Sequence, residues 1–167
     1  MKKIAKFEKV SFKEFLSLFK SYNYSDEEIK LMYDNIKLPK RATSGSAGYD
    51  FHSPIDVTLE KFSMCIIPTG IRVNITEGWV LKIYPRSSMG FKYHMSLANT
   101  VGVIDSDYYY ADNEGHIMVK IYNGSEKVLN IKKDDRFCQG IFSEFGITID
   151  DDVTEMRHGG FGSTNKK

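Results

Sequence analysis

Two periodicities divide the chain. Over residues 11–36, apolar side chains recur at three- and four-residue intervals: Phe12, Phe15, Leu16 and Phe19, then Ile29, Met32, Tyr33 and Ile36. That interval stacks side chains on one face of an α-helix. Each stretch opens on Ser-x-x-Glu (Ser11 and Glu14 in SFKE, Ser25 and Glu28 in SDEE), the pattern of a reciprocal N-terminal capping box. The pattern predicts a two-helix hairpin whose aromatic-rich stripes serve as core. From Leu38 onward the period falls to two. In GWVLKIYP, Trp79, Leu81 and Ile83 share a face opposite Lys82; in HIMVKIYN, Ile117, Val119 and Ile121 do the same. Both read as half-buried strands. IDVTLE, FSMCIIPTGIRVNI, KVLNI and FCQGIF add further strands, separated by turn signals at Glu77 and Asn123 and preceded by a strand-like opening segment. The expected fold is mainly β, closing as a jelly roll or distorted barrel with the short helical hairpin near the N-terminus. With neither internal repeat nor low-complexity linker, residues 1–167 are expected to form one domain.

Composition changes this picture little. The 167 residues are 41% hydrophobic and 13% aromatic, enough for an ordinary core. A formal net charge of +1 gives no overall field for a nucleic-acid or membrane partner, so anion binding must be local. Cys65 and Cys138 sit in apolar runs, as buried free thiols do, and no disulfide is expected. No apolar run approaches the roughly 20 residues of a membrane span, and MKKIAKFEKV lacks a signal-peptide core. A cytoplasmic location is expected.

Five stretches are more polar or glycine-rich than strand packing requires. In TSGSAGYDF, Asp50 lies at a strand edge, either as a turn aspartate or as a carboxylate with a partner. In YPRSSMGFKY, Arg86, Ser87 and Ser88 follow the strand-ending Pro85; they suit either phosphate oxygens or a surface ion pair beside a turn. In SLANTVGVIDSDYYYADNEGH, an apolar strand leads to Asp105, which is either a hairpin aspartate or a partly desolvated carboxylate primed to take a proton from water. The DNEGH tract fits no familiar metal spacing and reads as a solvated loop. In DRFCQGIF, Gln139 is expected to share a face with Phe137 and Ile141, with backbone or a ligand as its hydrogen-bond partner. The ending RHGGFGSTNKK is either a frayed tail or a gripping arm.

In order, AGYD, PRSSMG, GVIDSDY, DRFCQ and GGFGST resemble the five motifs of the trimeric dUTPases, over residues 47–164. The resemblance implies a β-rich homotrimer with active sites shared between neighbouring chains. It implies hydrolysis of dUTP to dUMP and pyrophosphate, which keeps uracil out of DNA and supplies dUMP for dTMP synthesis. Asp105 then corresponds to the general base acting on the water that attacks the α-phosphate. Tyr108 packs on deoxyribose and excludes a 2'-hydroxyl. Asn99 and the backbone at Val103 and Ile104 bind uracil, and Met118 is a further nucleotide contact. Arg86, Ser87, Ser88 and Gln139 match phosphate contacts, and Asp50 matches the acid that holds Mg2+ through water. In the arm, residues 157–167, Phe161 covers uracil while Arg157, Ser163 and Thr164 reach phosphate. The related dCTP deaminases carry a catalytic glutamate where EGHIMVKIYN has Lys120, which disfavours deamination. The helical hairpin is absent from compact members, and a protein-binding role for it stays open.

Overall fold

The computed structural model describes residues 2–20, 22–155, 157 and 159. Two helices, α1 (Phe12–Phe19) and α2 (Asp26–Asp34), occupy the predicted hairpin. Ser25 forms the full capping box with Glu28. Ser11 makes only half of one. Its Oγ accepts from the Glu14 amide at 3.1 Å, but its own amide donates to Glu114 Oε2, 103 residues further along.

The apolar stripes of both helices turn inward. Val10, Phe15, Phe19, Ile29 and Ile55 form a core of their own, and Ile36 and Val57 pack on both this cluster and the main one. Burying each such side chain stabilises the fold by about 2 kcal/mol. The hairpin rests on the turn at Gly70, where φ is +71° and an added Cβ would lie 2.3 Å from Ile36 Cδ1 and 3.1 Å from Phe15. Only glycine meets both demands.

The strands are β1 (Ala5–Lys9), β2 (Lys40–Arg41), β3 (Tyr49–His52), β4 (Val57–Leu59), β5 (Met64–Pro68), β6 (Ile71–Ile75), β7 (Trp79–Pro85), β8 (Ser96–Leu97), β9 (Gly102–Ile104), β10 (Met118–Tyr122), β11 (Leu129–Ile131) and β12 (Arg136–Glu144). They make four antiparallel sheets, ordered β1-β6, β5-β10-β8, β11-β4 and β2-β3-β12-β7-β9. The fold is mainly β, as its patterning predicts. The sheets do not close into one barrel among the described residues: most strands are five residues or shorter, and β9 remains an edge. The faces predicted for Leu81, Ile83, Ile117, Val119 and Ile121 are all buried in the main core. Cys65 and Cys138 are free thiols, and burial pushes Cys65 up to about 11.

Two local features differ from the sequence reading. PRSSMGFKY contains a short helix, α3 (Ser87–Tyr93), rather than a simple turn; its N-cap Arg86 makes no side-chain cap and Gly90 lies inside it, so the usual signals are missing. A register shift between Arg136 and Cys138 places Phe137 and Cys138 together in the core. Gln139 is therefore parted from Phe137 and is only half-buried. Among the described residues, no helix is long and apolar enough to cross a membrane.

Candidate active site

The candidate residues fall into two groups. The first surrounds a cavity of about 560 Å³ lined by Asn99, Gly102, Val103, Ile104, Tyr108 and Met118, with Lys120 and Arg157 at its wall. β9 forms one side. It pairs only with β7 and is the edge of its sheet, which leaves one row of backbone amides and carbonyls free to meet a ligand. Val103 is 57% exposed. The turn entering β9 is tight: the Val101 amide donates to the Asn99 carbonyl at 2.7 Å, and Thr100 has φ +68°.

Asp105 follows β9 directly and is the N-cap of a 3-10 helix, Ser106–Tyr110, without capping it by its side chain. Instead Asp105 Oδ2 accepts from Arg157 Nη2 at 2.6 Å, and Arg157 Nε reaches Asp107 Oδ1 at 3.1 Å. The Asp105 side chain is 44% exposed and ion-paired, so of its two readings the partly desolvated carboxylate is not the one seen. Arg157, expected at phosphate, lies on carboxylates and within 5.9 Å of the Tyr108 ring.

The three consecutive tyrosines have different surroundings. Tyr108 is buried; its hydroxyl donates to the His116 carbonyl at 2.9 Å and accepts from Asn113 Nδ2 at 2.8 Å, and burial raises its pKa. Tyr109 donates to Glu8 Oε2 at 2.6 Å beneath the Arg72 guanidinium, which sits 4.2 Å from its ring. Tyr110 is exposed.

The DNEGH loop is not the solvated tract its polarity predicted. His116 is 0% exposed, its Nε2 accepts from the Gly70 amide at 2.8 Å, and its Nδ1 faces Glu14 Oε1 across 3.5 Å. Acceptance at Nε2 puts the proton of the neutral ring on Nδ1. Burial lowers the imidazole to about 4. Burial, and then the neighbouring Glu114, raises Glu14.

The second group gathers where β3, β7 and β12 meet. Asp50 is 8% exposed and carries an arginine on each oxygen: Arg86 Nε at 3.1 Å and Arg136 Nη1 at 3.1 Å. Of the two readings of YPRSSMGFKY, the ion pair is present, Arg86 on Asp50, while Ser87 and Ser88 stand exposed in the first turn of α3. Gln139 donates to the Pro85 carbonyl at 3.5 Å. An added Cβ at Gly48 would stand 2.4 Å from Gln139 Oε1, so the AGYD glycine makes room for this side chain. Arg136 lies in the DRFCQ stretch, but its position as the second partner of Asp50 depends on the β3–β12 pairing. Among the described residues, no group of three or more His, Cys, Asp or Glu side chains is placed to hold a metal ion.

The two groups are far apart within the chain. β9 runs antiparallel to β7 with Ile104 opposite Leu81 and Gly102 opposite Ile83. Asp105 therefore leaves the sheet near Leu81, while Arg86 stands five residues along β7 in the other direction. At 3.3 Å per residue the separation is about 16 Å, well beyond the span of one arginine side chain. None of Asp50, Arg86, Ser87, Ser88 and Gln139 lines the cavity. Phe161, Ser163 and Thr164 lie outside the described residues.

A family model described as dUTPase matches residues 34–165. The deoxyuridine 5'-triphosphate nucleotidohydrolase of Lactococcus lactis subsp. lactis (strain IL1403) is 41% identical over 142 residues, covering 82% of this chain and 95% of the relative. That of Haemophilus ducreyi is 41% identical over 138 residues, covering 78% and 88%. The crystal structure of dUTPase from Streptococcus mutans superposes with a TM-score of 0.64 at 31% identity, over 85% of this chain and 97% of that one. The dUTPase from phage phi11 of S. aureus shares the fold at 19% identity, with a TM-score of 0.64 over 92% and 98%. From the motifs at the cavity rim to the match over residues 34–165, the chain belongs to the dUTPase family.

Proposed function

We propose that the protein hydrolyses dUTP to dUMP and pyrophosphate, at sites that each take the cavity group from one copy and the arginine group from another. The observation that carries this reading is the cavity itself, with Asp105 at its rim, Tyr108 in its wall and an unpaired strand edge along one side.

The backbone of β9 offers amide and carbonyl groups in the alternation that a uracil edge presents, and Asn99 adds a side-chain amide. Tyr108 is fixed at its hydroxyl by two hydrogen bonds, so its ring forms a rigid wall against the sugar. Such a wall rejects a 2'-hydroxyl by shape. Met118 adds apolar surface. Asp105 accepts the proton of the attacking water as the water oxygen bonds to the α-phosphorus. The bond from that phosphorus to the bridging oxygen breaks, and pyrophosphate leaves. Among the described residues no hydrogen bond reaches Asp105 Oδ1, so that oxygen is the one offered to the water.

Arg86, Ser87, Ser88 and Gln139 are assigned to the phosphates. Since about 16 Å separates Arg86 from Asp105 in one chain, the phosphates bound beside one copy's Asp105 need those groups from a neighbour. A closed homotrimer supplies them three times over. The arm completes the site, with Phe161 on uracil and Arg157, Ser163 and Thr164 on phosphate, excluding water as lids do. Truncation after Met156 is therefore expected to abolish most turnover.

Magnesium belongs to this reading as a partner of the triphosphate. A structure of the phage phi11 enzyme is described with a coordinated structural Mg(II) ion. Here each Asp50 oxygen already holds an arginine, but carboxylate oxygens have further lone pairs; the residues fit a contact through water and not a protein cage. When bound, the ion neutralises phosphate charge. Lys120, at the cavity wall, gives no carboxylate for deamination. The test is pyrophosphate release from dUTP with magnesium, with dTTP and UTP left intact; no release above a blank overturns the reading.

A further inference from the structure

Glu114 is where the N-terminal segment meets the loop behind Tyr108, a wall of the cavity. Its carboxylate receives two hydrogen bonds from one residue: the Ser11 amide to Oε2 at 2.7 Å and Ser11 Oγ to Oε1 at 2.6 Å. This clasp replaces the reciprocal half of the capping box that Glu14 was expected to supply. Glu114 itself has φ +56°, and Gly115 follows at φ +70°. A left-handed non-glycine residue persists where its surroundings hold it, and such residues concentrate at functional sites.

The turn so held is wrapped around Tyr108. Asn113 and the His116 carbonyl are both partners of the Tyr108 hydroxyl. An added Cβ at Gly115 would lie 2.7 Å from the Tyr108 carbonyl oxygen and 2.8 Å from Tyr109 Cα, so the turn sits directly on the tyrosine backbone. The N-terminal segment grips this region a second time through Glu8 and the Tyr109 hydroxyl. Glu8 and Ser11 both precede residue 34, where the match to the family model begins.

We propose that Glu114 is a positioning residue which, clasped by Ser11, makes the N-terminal helix a brace for Tyr108 and thereby sets how strictly the site rejects a ribose. The proposal rests on the assignment of Tyr108 to the sugar. Without the clasp, the left-handed turn keeps the Glu114 amide on the Ala111 carbonyl at 2.7 Å, the His116 amide on the Asn113 carbonyl at 3.0 Å and the Gly70 amide on His116 Nε2; the turn loosens, Asn113 shifts, and the ring it anchors gains room for a 2'-hydroxyl. Displacements of about 1 Å at such a distance from the chemistry are enough to change rates up to 100-fold.

The test compares wild type, Glu114→Ala, Glu114→Gln and Ser11→Ala in full steady-state kinetics with dUTP and with UTP, alongside thermal melts. Glu114→Ala is expected to raise KM for dUTP about tenfold with kcat nearly unchanged, and to narrow the preference for dUTP over UTP by about tenfold. Glu114→Gln keeps an acceptor for the Ser11 amide and should recover most of that preference. Ser11→Ala, on the far side of the clasp, should shift the preference in the same direction by less, and it carries the test if Glu114→Ala does not fold. A purely structural clasp would lower the melting temperature and leave the preference untouched. Wild type that hydrolyses dUTP beside variants with unaltered preference overturns the brace alone. Wild type that leaves dUTP intact overturns the assignment of function, and the brace with it.

Discussion

The two groups of site residues solve opposite charge problems. The cavity group is acidic: Asp105 and Asp107 stand half-exposed, and their counter-charge is Arg157, borrowed from the arm. The arginine group is basic, and its counter-charge is one buried carboxylate, Asp50, held from both sides. The first sets two carboxylates on one arginine and the second two arginines on one carboxylate. The cavity group thus keeps one negative charge and the arginine group one positive charge, so the two offset each other in a protein of net charge +1 and leave no extended basic face. On the proposed function the difference also sorts roles: the more exposed carboxylate takes the proton, whereas the buried one aims its arginines.

Asp105→Asn breaks this comparison most severely. Turnover is expected to fall by about 100-fold or more, as for loss of a general base, while dUTP binding and the melting temperature hold. Unchanged turnover would show that another group takes the proton.

The cavity group also leans on a fully buried neutral histidine, whereas the arginine group has beside it the half-buried His52, which burial also lowers. His116 is lowered from 6.5 to about 4, so the unfolded chain binds its proton first as pH falls. Stability present above pH 6.5 is therefore lost on the way down to pH 4, by up to about 3 kcal/mol. Glu14, raised by burial, acts in the opposite sense and blunts the acid end. Denaturant unfolding across pH 4–7 should show the loss in wild type and a flatter profile in His116→Gln, which keeps an acceptor for the Gly70 amide.

Arg86→Ala sharpens the contrast from the other side. It removes a phosphate contact and also deprives buried Asp50 of a partner. A loss of about tenfold or more in kcat/KM should come with about 1–2 kcal/mol of stability, read from the same unfolding curves. The smallest effect is expected from Gly48→Ala, whose new Cβ displaces the tip of Gln139. KM should rise by about threefold with kcat unchanged, because only a phosphate contact moves.

How much of this was legible in the sequence depended on range. Strand faces such as Leu81 and Ile83, both helices and the Ser25 cap are set by neighbours within a few residues, and they read directly. The five motifs marked the family, which the match over residues 34–165 shows, because each lies in a short contiguous stretch. What could not be read lies between distant segments. Ser11 finds Glu114 rather than Glu14 only because the hairpin lands on the 112–116 loop, and Asp50 finds Arg136 only through the β3–β12 pairing. The helix at Ser87–Tyr93 lacks a capping side chain, and the irregularity at Phe137 carries no glycine or proline to announce it. The separation of Asp105 from Arg86 is a consequence of β7–β9 register that no local pattern encodes.

That separation leads to the central claim, that a working site needs two copies of the chain, and subunit mixing tests it most directly. Asp105→Asn and Arg86→Ala proteins, each nearly inactive alone, are unfolded together, refolded as a mixture and assayed for pyrophosphate release from dUTP. With sites shared between chains in a closed trimer, random mixing rebuilds about one site in four from two intact halves, and about a quarter of wild-type activity should return. A mixture no more active than its components would mean that each chain's Asp105 and Arg86 serve the same site, and the account would be wrong.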